Sequence, residues 1–492
     1  MAEYKYGVYG KIGNDVVQSV SRASVTPVYF GTAPVNLLTD YRSAVNTPIK
    51  IYNLNEAREK LGHFANSAMW SKYTLCEAVE AHFNNEAGNI GPIYVINVLD
   101  PDVHASEAVT EDLIFANRKA TLAETDIILA TFALDGKVQG VDYTISYNST
   151  TGVLTVTDIG QTPMEEIQAS FKRVNFEEIT AETVIGGTDS DGLTTGIASL
   201  RQVYQDYDAI PTYLAAPGWS EDPMVYDALV EASQGINDHW SAFVFADIPT
   251  TNVANIAAAI KWKEDNEYTS GYSKVFWPKV KSGSATVYHL STLALVEKIR
   301  CDINNNNIPF ETCANKSIPA SGLYISDTSK LVGYDRPDAN KLTAAGITTA
   351  IYWEGNWRVW GDHTAAYVNG GDYMAREIFD TNILMLFYIT NEFQREWGTT
   401  IDQPMTLALR DTILNREQEK LDALVSIGAL IGTPTVELSD GESSEASDVL
   451  LANFEWHISA TITPPLKAAT VTVSYTDAGF AVLYGDEEGG EA

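Results

Sequence analysis

The chain contains few cysteines and no long apolar run. Among its 492 residues only Cys76, Cys301 and Cys313 are cysteines, and their spacing is not that of metal ligands. An odd number of thiols is typical of a reducing compartment. The longest apolar stretch, Ile383 to Ile389, is far shorter than the roughly 20 residues that a membrane-spanning helix needs. The first ten residues also lack the basic and apolar regions of a signal peptide, so we expect a chain that is neither secreted nor inserted in a membrane.

Positive charge is also scarce. Lys and Arg together number 32 and Asp and Glu 65, which leaves a formal net charge of −33. Such a chain is repelled by phosphate backbones and by anionic lipids. The composition therefore argues against a nucleic-acid partner and against a membrane partner.

No motif of catalytic or cofactor chemistry is present. The two Gly-Lys pairs, Gly10-Lys11 and Gly136-Lys137, are not followed by Ser or Thr, so neither is a phosphate loop. The seven histidines are scattered and form no H-E-x-x-H motif, and there is no G-x-S-x-G elbow. The segment Asp189–Gly192 lacks the terminal Glu of a calcium loop and is interpreted as a turn. We expect a protein that is not an enzyme, without cofactor or metal.

The order of apolar segments predicts several domains of mixed α/β class. Short strands alternate with helices, which is typical of a layered α/β domain. Between residues 103 and 185 several short strands are separated by turn residues instead, which predicts an inserted all-β domain. The predicted units are an extended N-terminal arm (1–22), an α/β domain (23–102 plus 186–345), an outward-facing β insertion (103–185), a C-terminal α+β domain (346–465) and a C-terminal strand arm with an acidic tail (466–492).

The last third of the chain predicts two long helices. The first runs from about Asp372 through Phe393. The second starts near Pro404, with Asp402 placed to cap it, and ends at the glycines Gly428 and Gly432.

The N-terminal arm has the sequence pattern of a strand that is followed by flexible glycines. Tyr4, Tyr6 and Val8 alternate with other residues, and Gly10 and Gly13 then interrupt the run. This pattern fits an arm that pairs with another chain, and it equally fits a first strand of the local sheet.

Near the other end of the chain two further runs alternate with period 2. They contain Phe454, Trp456, Ile458, Ala460 and Ile462 before Pro464-Pro465, and Val471, Val473 and Tyr475 after it. The two prolines exclude a tight hairpin between the runs. A late strand without a local partner exposes unpaired N–H and C=O groups, and we expect it to be lent to another chain.

With these segments in place, the chain resembles contractile tail sheath proteins, which are found in contractile bacteriophage tails and R-type bacteriocin particles. The resemblance rests on the N-terminal arm running into GTAPVN (Gly31 to Asn36), on GGTDSDGLTTGI (Gly186 to Ile197) leading to LAAPGW (Leu214 to Trp219), on GITTAIYWEGNWRVWGDHTA (Gly346 to Ala365) and on the closing pair of strands.

The sequence departs from the pattern of that family at three places. Asp362-His363 stands where a basic residue is common, Arg376 lacks a second arginine beside it, and Leu466-Lys467 stands where an acidic residue is common. These departures concern particular ion pairs between subunits and leave the predicted fold unchanged.

The resemblance implies a structural subunit that polymerises in stacked rings around a tail tube and contracts to drive the tube through a target cell envelope. Its partners are then other copies of itself, the tube protein, and baseplate and tail terminator proteins. The C-terminal α+β domain (346–465) is expected to face the tube. Its place is the tail sheath of a particle assembled in the cytoplasm of a bacterial host. The residues expected in strand exchange between subunits are Tyr4, Tyr6, Val8, Phe454, Trp456, Ile458, Val471, Val473 and Tyr475; the hinge candidates are Gly10 and Gly13, and the possible tube contacts are Arg410, Arg416 and Lys420.

Two other functions remain open at this point. One is a surface or adhesion protein whose β insertion binds a ligand, and a weaker one is a hydrolase in the α/β domain. Electron microscopy of the purified protein distinguishes a sheath from both, because only a sheath forms hollow tubes of uniform width.

Overall fold

The protein is described here from a computed structural model, for residues 25–85, 89–283, 285–327, 331, 333–439 and 452–484. The residues predicted for the N-terminal arm lie outside these ranges: Tyr4, Tyr6, Val8, Gly10 and Gly13.

The first described segment of the chain contributes three of the eight strands of a large sheet. It consists of β1 (Pro27–Gly31), β2 (Pro48–Ile51), α1 (Leu54–Leu61), α2 (Leu75–Phe83) and β3 (Ile93–Asn97). The side chain of Asn53 caps α1 by accepting a hydrogen bond from the N–H of Glu56, and Gly62 ends the helix in the left-handed conformation that favours glycine.

Residues 103–185 contain six strands, and the start and end of this strand region meet, since Ala105 and Val174 form an antiparallel bridge. The strands are β4 (Val109–Ile114), β5 (Lys119–Leu122), β6 (Ile127–Leu134), β7 (Tyr143–Tyr147), β8 (Leu154–Asp158) and β9 (Glu166–Arg173), and α3 (Ala181–Ile185) follows them. They form two antiparallel three-stranded sheets in the orders β4-β9-β6 and β5-β8-β7. Phe132 and Phe171 stack between strands of this segment, with ring centres 5.9 Å apart.

The middle of the chain completes the large sheet. Its elements are β10 (Gly187–Thr188), β11 (Thr194–Thr195), α4 (Gln202–Tyr207), β12 (Tyr213–Ala215), α5 (Pro223–Ala232), β13 (Phe243–Asp247), α6 (Ile256–Asp265), β14 (Ser273–Phe276), β15 (Lys279–Ser282), β16 (Thr286–Tyr288), α7 (Leu290–Asn304), β17 (Gly322–Tyr324), α8 (Arg336–Ala344), β18 (Ile347–Trp353) and β19 (Asn356–Trp360).

The large sheet has eight strands in the order β19-β18-β14-β13-β12-β1-β3-β2. The central pairs are parallel, and the two outer pairs, β18–β19 and β2–β3, are antiparallel. Every residue of the central strand β13 is buried, as expected for a parallel strand covered on both faces. The mixed α/β, multidomain class predicted from the sequence is confirmed.

The structure differs from the predicted boundary at residue 346. Ile347 pairs with Val275 and Thr348 with Phe276, so β18 and its partner β19 belong to the large sheet. The predicted C-terminal domain begins at that boundary, but the segment that leaves the sheet starts after Trp360. Long-range parallel pairing has no local signature in the sequence, because the two strands are about 70 residues apart.

The remaining elements form a second layer beside the sheet. They are α9 (Asp380–Trp397), α10 (Leu407–Ser426), β20 (Leu430–Leu438) and β21 (Trp456–Ile462). A small separate core holds them together, and it contains Ile308, Met385, Leu421, Leu424, Ala429 and Leu430.

Both long helices begin later than predicted. Helix α9 begins at Asp380 rather than near Asp372. Helix α10 begins at Leu407, because the hydroxyl of Thr406 accepts a hydrogen bond from the N–H of Leu409 and caps it. The predicted cap, Asp402, has a φ of 67° and belongs to the preceding turn.

Candidate functional site: an incomplete two-stranded sheet

The strands β20 and β21 form a sheet of only two strands. They are antiparallel, with Leu438 opposite Trp456 and Leu430 opposite Ile462, and a bulge lies between Ile431 and Thr435. In the part of the chain that the structure describes, no third strand pairs with either of them. A two-stranded sheet has two open edges, and such edges are sites where another strand can add.

The register shows which main-chain groups of β21 face the open edge. The N–H of Ser439 donates to the carbonyl of Glu455, and the N–H of Thr463 donates to that of Ala429, so the odd-numbered residues of β21 are those that bond to β20. Main-chain bonding alternates along an antiparallel strand, so the N–H and C=O groups that point away from β20 are those of Trp456, Ile458, Ala460 and Ile462.

The open edge of β20 is less regular. Its glycine and proline, Gly432 and Pro434, lie in the bulge, and proline has no N–H to donate. The carbonyl of Pro434 accepts a hydrogen bond from the side chain of Gln418, 3.0 Å away. The edge of β21 is therefore the longer and uninterrupted surface for strand addition.

An apolar groove runs beside the open edge of β21. It has a volume of about 330 Å³ and lies between β21 and the side of α9. Its lining residues are Leu386, Ile389, Thr390 and Phe393 from α9, and Trp456, His457, Ile458 and Ala460 from β21. A strand that added to this edge would lay its apolar side chains over the groove.

Three of the residues predicted for strand exchange therefore lie at this sheet, but not as a free strand. Trp456 and Ile458 lie within β21 and face Leu438 and Val436 of the same chain, and Phe454 lies two residues before the strand. The prediction did not include β20 as their partner. Sequence reasoning missed β20 because Gly432 and Pro434 interrupt its pattern, although Val436 and Leu438 carry the period-2 signal that could have found it.

The other C-terminal residues of that prediction are uncovered. Val471, Val473 and Tyr475 are 84%, 87% and 83% exposed, and the segment that contains them has no strand partner among the described residues. Three apolar side chains on one face of an extended segment are unfavourable in water. This segment has the alternation of a strand but lacks the sheet that would cover it.

The basic residues predicted to contact a tube are held in ion pairs within the chain. Arg410 pairs with Asp411, Arg416 lies 3.2 Å from a carboxylate oxygen of Glu396, and Lys420 contacts Glu396 and Glu417. The N–H of the Trp397 indole donates to Glu417 at 2.6 Å, which links α9 to α10. Whether Arg410, Arg416 and Lys420 also meet a tube stays a prediction.

The residues that the structure describes contain no group of His, Cys, Asp and Glu side chains arranged to hold a metal ion. None of their helices combines the length and the apolar character that a membrane span requires. Burial raises the pKa of the thiols of Cys76 and Cys301 to about 12, which keeps them protonated. The Asp189 carboxylate accepts hydrogen bonds from the N–H groups of Asp191 and Leu193, which closes the turn predicted at Asp189–Gly192.

The fold described above is that of a contractile sheath protein. The chain superposes on a chain of the contracted sheath complex of an extracellular contractile injection system, known as PVC, with a TM-score of 0.56 and 14% identity, covering 97% of this chain and 99% of the other. No protein-family model matches the chain.

Sequence similarity points to the same class. The chain is 25% identical over 512 residues to the tail sheath protein of Burkholderia phage BcepMu, covering 98% of this chain and 99% of that protein. It is 24% identical over 321 residues to the major tail sheath protein of Serratia phage KSP20, covering 62% of this chain and 75% of that protein. The homologues of this chain are contractile tail sheath proteins, and the resemblance inferred from its motifs is confirmed.

Proposed function

We propose that this chain is the sheath subunit of a contractile tail, that it polymerises in stacked rings around a tail tube, and that contraction of the polymer drives the tube through a target envelope. The observation that carries the proposal is the open edge of β21 beside an uncovered C-terminal segment, in a chain homologous to sheath proteins along almost its whole length. The acceptor and the donor of a strand exist in one chain and do not meet within it.

The C-terminal segment is lent to another copy because its own chain holds it away from β21. Strand β21 ends at Ile462, and Pro464 and Pro465 follow almost at once. Proline fixes φ near −65° and also restricts the residue before it, so the linker stays extended and cannot make the tight reversal of a hairpin. A second copy brings Val471, Val473 and Tyr475 to the edge without that reversal.

Addition of this strand gives a link of moderate strength. The four outward-facing residues of β21 carry four N–H and four C=O groups. A short donated run such as 471–475 pairs with roughly four of these groups, and at about 1 kcal/mol net each the bonds contribute several kcal/mol. Burial of three apolar side chains in the groove beside α9 adds about 1.5 kcal/mol or more for each side chain. Such a link keeps subunits connected while their main bodies move relative to each other.

The N-terminal arm takes the remaining role in the proposal. Tyr4, Tyr6 and Val8 supply a second exchanged strand. This strand adds to the edge of β20, because the C-terminal strand of another copy occupies the edge of β21. Gly10 and Gly13 are the hinges of the arm. The main body of one subunit is then tied to two neighbours, which is a head-to-tail arrangement that closes into rings and stacks as a helix.

The energy of contraction comes from assembly in this proposal. The extended sheath is a kinetically trapped state, and contraction increases the surface buried between subunits. The net charge of −33 makes close packing of copies costly at low salt, and counterions reduce that cost. Polymerisation should therefore be favoured by increasing ionic strength.

The proposed subunit also has binding partners other than itself and a defined site of assembly. The subunit meets the tube protein on one side and baseplate and terminator proteins at the ends of the polymer, and it assembles in the cytoplasm of a bacterial host. The insertion at 103–185 faces outward, and this is supported by the meeting of its two ends where Ala105 bridges to Val174. The role of the chain is structural, without catalysis.

Negative-stain microscopy of the purified protein tests the proposal. The full chain should form hollow tubes of uniform width. A chain that ends at residue 467, and a triple variant with Val471→Ser, Val473→Ser and Tyr475→Ser, should remain folded and form no tubes. The matched control is Thr470→Ala with Thr472→Ala, which changes the other face of the same segment. Normal tubes from the truncated chain would contradict strand exchange through the C-terminal arm.

A further inference from the structure

The root of the C-terminal arm rests on an aromatic platform of the same chain. His363 and Tyr367 stack with their ring centres 3.5 Å apart and nearly parallel, and Phe379 stacks on the other side of His363 at 5.4 Å. Lys467 reaches back from the arm, so that its Nζ contacts His363 Nε2 and lies 5.0 Å from the centre of the Tyr367 ring. Beyond Lys467 the arm is exposed.

We propose that Lys467 is a positioning residue that fixes the root of the C-terminal arm on the platform of His363 and Tyr367, and that the imidazole of His363 makes this anchor reversible with pH. The inference rests on the proposed exchange of the arm, but the contact itself lies within one chain. The contact between Lys467 and His363 joins two of the sites at which the sequence departs from the sheath pattern, Asp362-His363 and Leu466-Lys467.

The hydrogen bonds of His363 determine which form of its ring accepts Lys467. Nδ1 lies 2.7 Å from the carbonyl oxygen of Ile378, and a carbonyl can only accept, so Nδ1 carries the proton. In the neutral ring Nε2 is then a free acceptor, and the Lys467 ammonium donates to it. When the ring takes up a second proton, Nε2 becomes a donor that faces a cation, and the contact turns from attractive to repulsive.

The charged groups around His363 come from three elements. Asp362 precedes it, with Oδ1 3.6 Å from Nε2. Lys274 of β14 and Lys467 of the arm are the cations that act on the ring, and Lys467 contacts Nε2. Burial lowers the pKa of His363, the Ile378 carbonyl and Asp362 act to raise it, and Lys467 and Lys274 lower it, with a net result below the ordinary 6.5. Lys274 is itself paired with Asp380, so its effect on the ring is reduced.

The sign of the pH dependence follows from these groups. His363 is neutral in the anchored arm at pH 7, because burial and the neighbouring cations hold its pKa below 6.5, and departure of the arm removes Lys467 from those cations. The anchor therefore has its full strength above pH 6.5 and is lost as the pH falls below the lowered pKa.

The anchor sets the direction in which the arm leaves the subunit. Two points fix the segment after β21: the prolines at 464 and 465, and the contact of Lys467. The residues of the donated run 471–475 follow Lys467 by four to eight positions. An arm that starts from a fixed point loses less conformational freedom when it binds a neighbour, because part of the ordering has already occurred.

Fluorescence anisotropy of a dye placed at the root of the arm tests the inference. The full-length chain carries Thr470→Cys, and the three native cysteines are buried, so a dye with no pH response labels this position alone. In the parent chain the dye should be restricted at pH 7.5 and should become mobile with a midpoint below pH 6.5. Lys467→Met should make it mobile at every pH, and Lys467→Arg should restore the restriction.

His363→Gln is the decisive variant, because its side-chain carbonyl accepts a hydrogen bond from Lys467 but does not titrate. The dye should stay restricted at all pH values in this variant, whereas the control His457→Gln, on the exposed face of β21, should titrate like the parent. Equal mobility of the parent and Lys467→Met at pH 7.5, or an unchanged midpoint in His363→Gln, would overturn the anchor. Loss of tubes with an intact anchor would count against the proposed function instead.

Discussion

Lys274 and Asp380 form a fully buried ion pair, with Nζ 2.5 Å from Oδ2, that joins the large sheet to the start of α9. Lys274 lies in β14, and its ammonium also donates to the carbonyl of Gly361 at 2.9 Å. Asp380 also accepts a hydrogen bond from Thr312. The pair thus fixes the layer that carries the incomplete sheet onto the body of the subunit.

Asp380→Asn should strongly destabilise the protein, because it leaves the Lys274 ammonium buried without a countercharge. Breaking one partner of a buried pair costs about 3–5 kcal/mol. Urea denaturation followed by tryptophan fluorescence measures the loss. The control is Asp265→Asn, which breaks the exposed pair between Lys261 and Asp265 and should cost less than about 1 kcal/mol. Equal midpoints for the two variants would show that the buried pair does not stabilise the junction.

A second buried charge cluster predicts a loss of stability at alkaline pH. His289 Nδ1 lies 2.7 Å from Glu77, and Nε2 lies 3.3 Å from Glu221. Burial alone lowers the pKa of His289, but the two carboxylates outweigh burial and raise it to about 10. The folded chain therefore holds a proton that the unfolded chain releases near pH 6.5, so the stabilisation is complete below that pH and falls as the pH rises towards 10.

Unfolding midpoints measured between pH 6 and 10 check this expectation. The parent should lose stability steadily over this range, and His289→Gln should be less stable at pH 6 but should show a much flatter dependence. His457→Gln, at an exposed position, serves as the control. A slope in His289→Gln equal to that of the parent would assign the alkaline loss to other groups.

The open edge of β21 can be blocked at one residue. The N–H of Ala460 points away from β20, so Ala460→Pro removes an outward donor and leaves the bonds to β20 intact. The variant should fold with little loss of stability and should fail to form tubes. Ser459→Pro is the matched comparison, because Ser459 bonds to β20, and loss of that bond should destabilise the folded chain by about 1–3 kcal/mol.

Circular dichroism and negative-stain microscopy of the same samples give both results for the Ala460→Pro variant. Tubes of normal length would mean that no strand adds at the edge of β21, whatever happens elsewhere in the assembly.

The sequence predicts those parts of the fold whose signals are local. Helix Leu54–Leu61 lies between its Asn53 cap and the glycine at 62, both of which are neighbours in sequence, and the strand Phe243–Asp247 is apolar up to Ala246 and buried throughout. The start of α10 was placed too early, because Pro404 and Asp402 imitate a helix start that Thr406 provides. Pairings between distant residues, such as Ile347 with Val275, carry no local signal and could not be predicted.

In the candidate site, too, local patterns are visible in the sequence, whereas contacts between distant residues are visible only in the structure. The alternation of Val471, Val473 and Tyr475 is visible in the sequence, and the structure adds that these side chains are uncovered. The sequence marked His363 and Lys467 as unusual, but only the structure shows that residues 104 positions apart are in contact. The partner strand β20 was missed, since a glycine and a proline hide its period.

Disulfide crosslinking between copies tests the exchange of the C-terminal strand most directly. One copy carries Ser459→Cys on the exposed face of β21, and a second, tagged copy carries Thr470→Cys, Thr472→Cys or Ser474→Cys on the matching face of the arm. Strand addition brings one of these positions within the 4.4–6.8 Å Cα separation, roughly, that a disulfide allows. After mild oxidation of mixed tubes we predict covalent dimers between tagged and untagged chains from at least one pairing, and little from Val473→Cys, which faces the groove. Tubes that form normally but give no mixed dimer from any of the three positions would contradict the account.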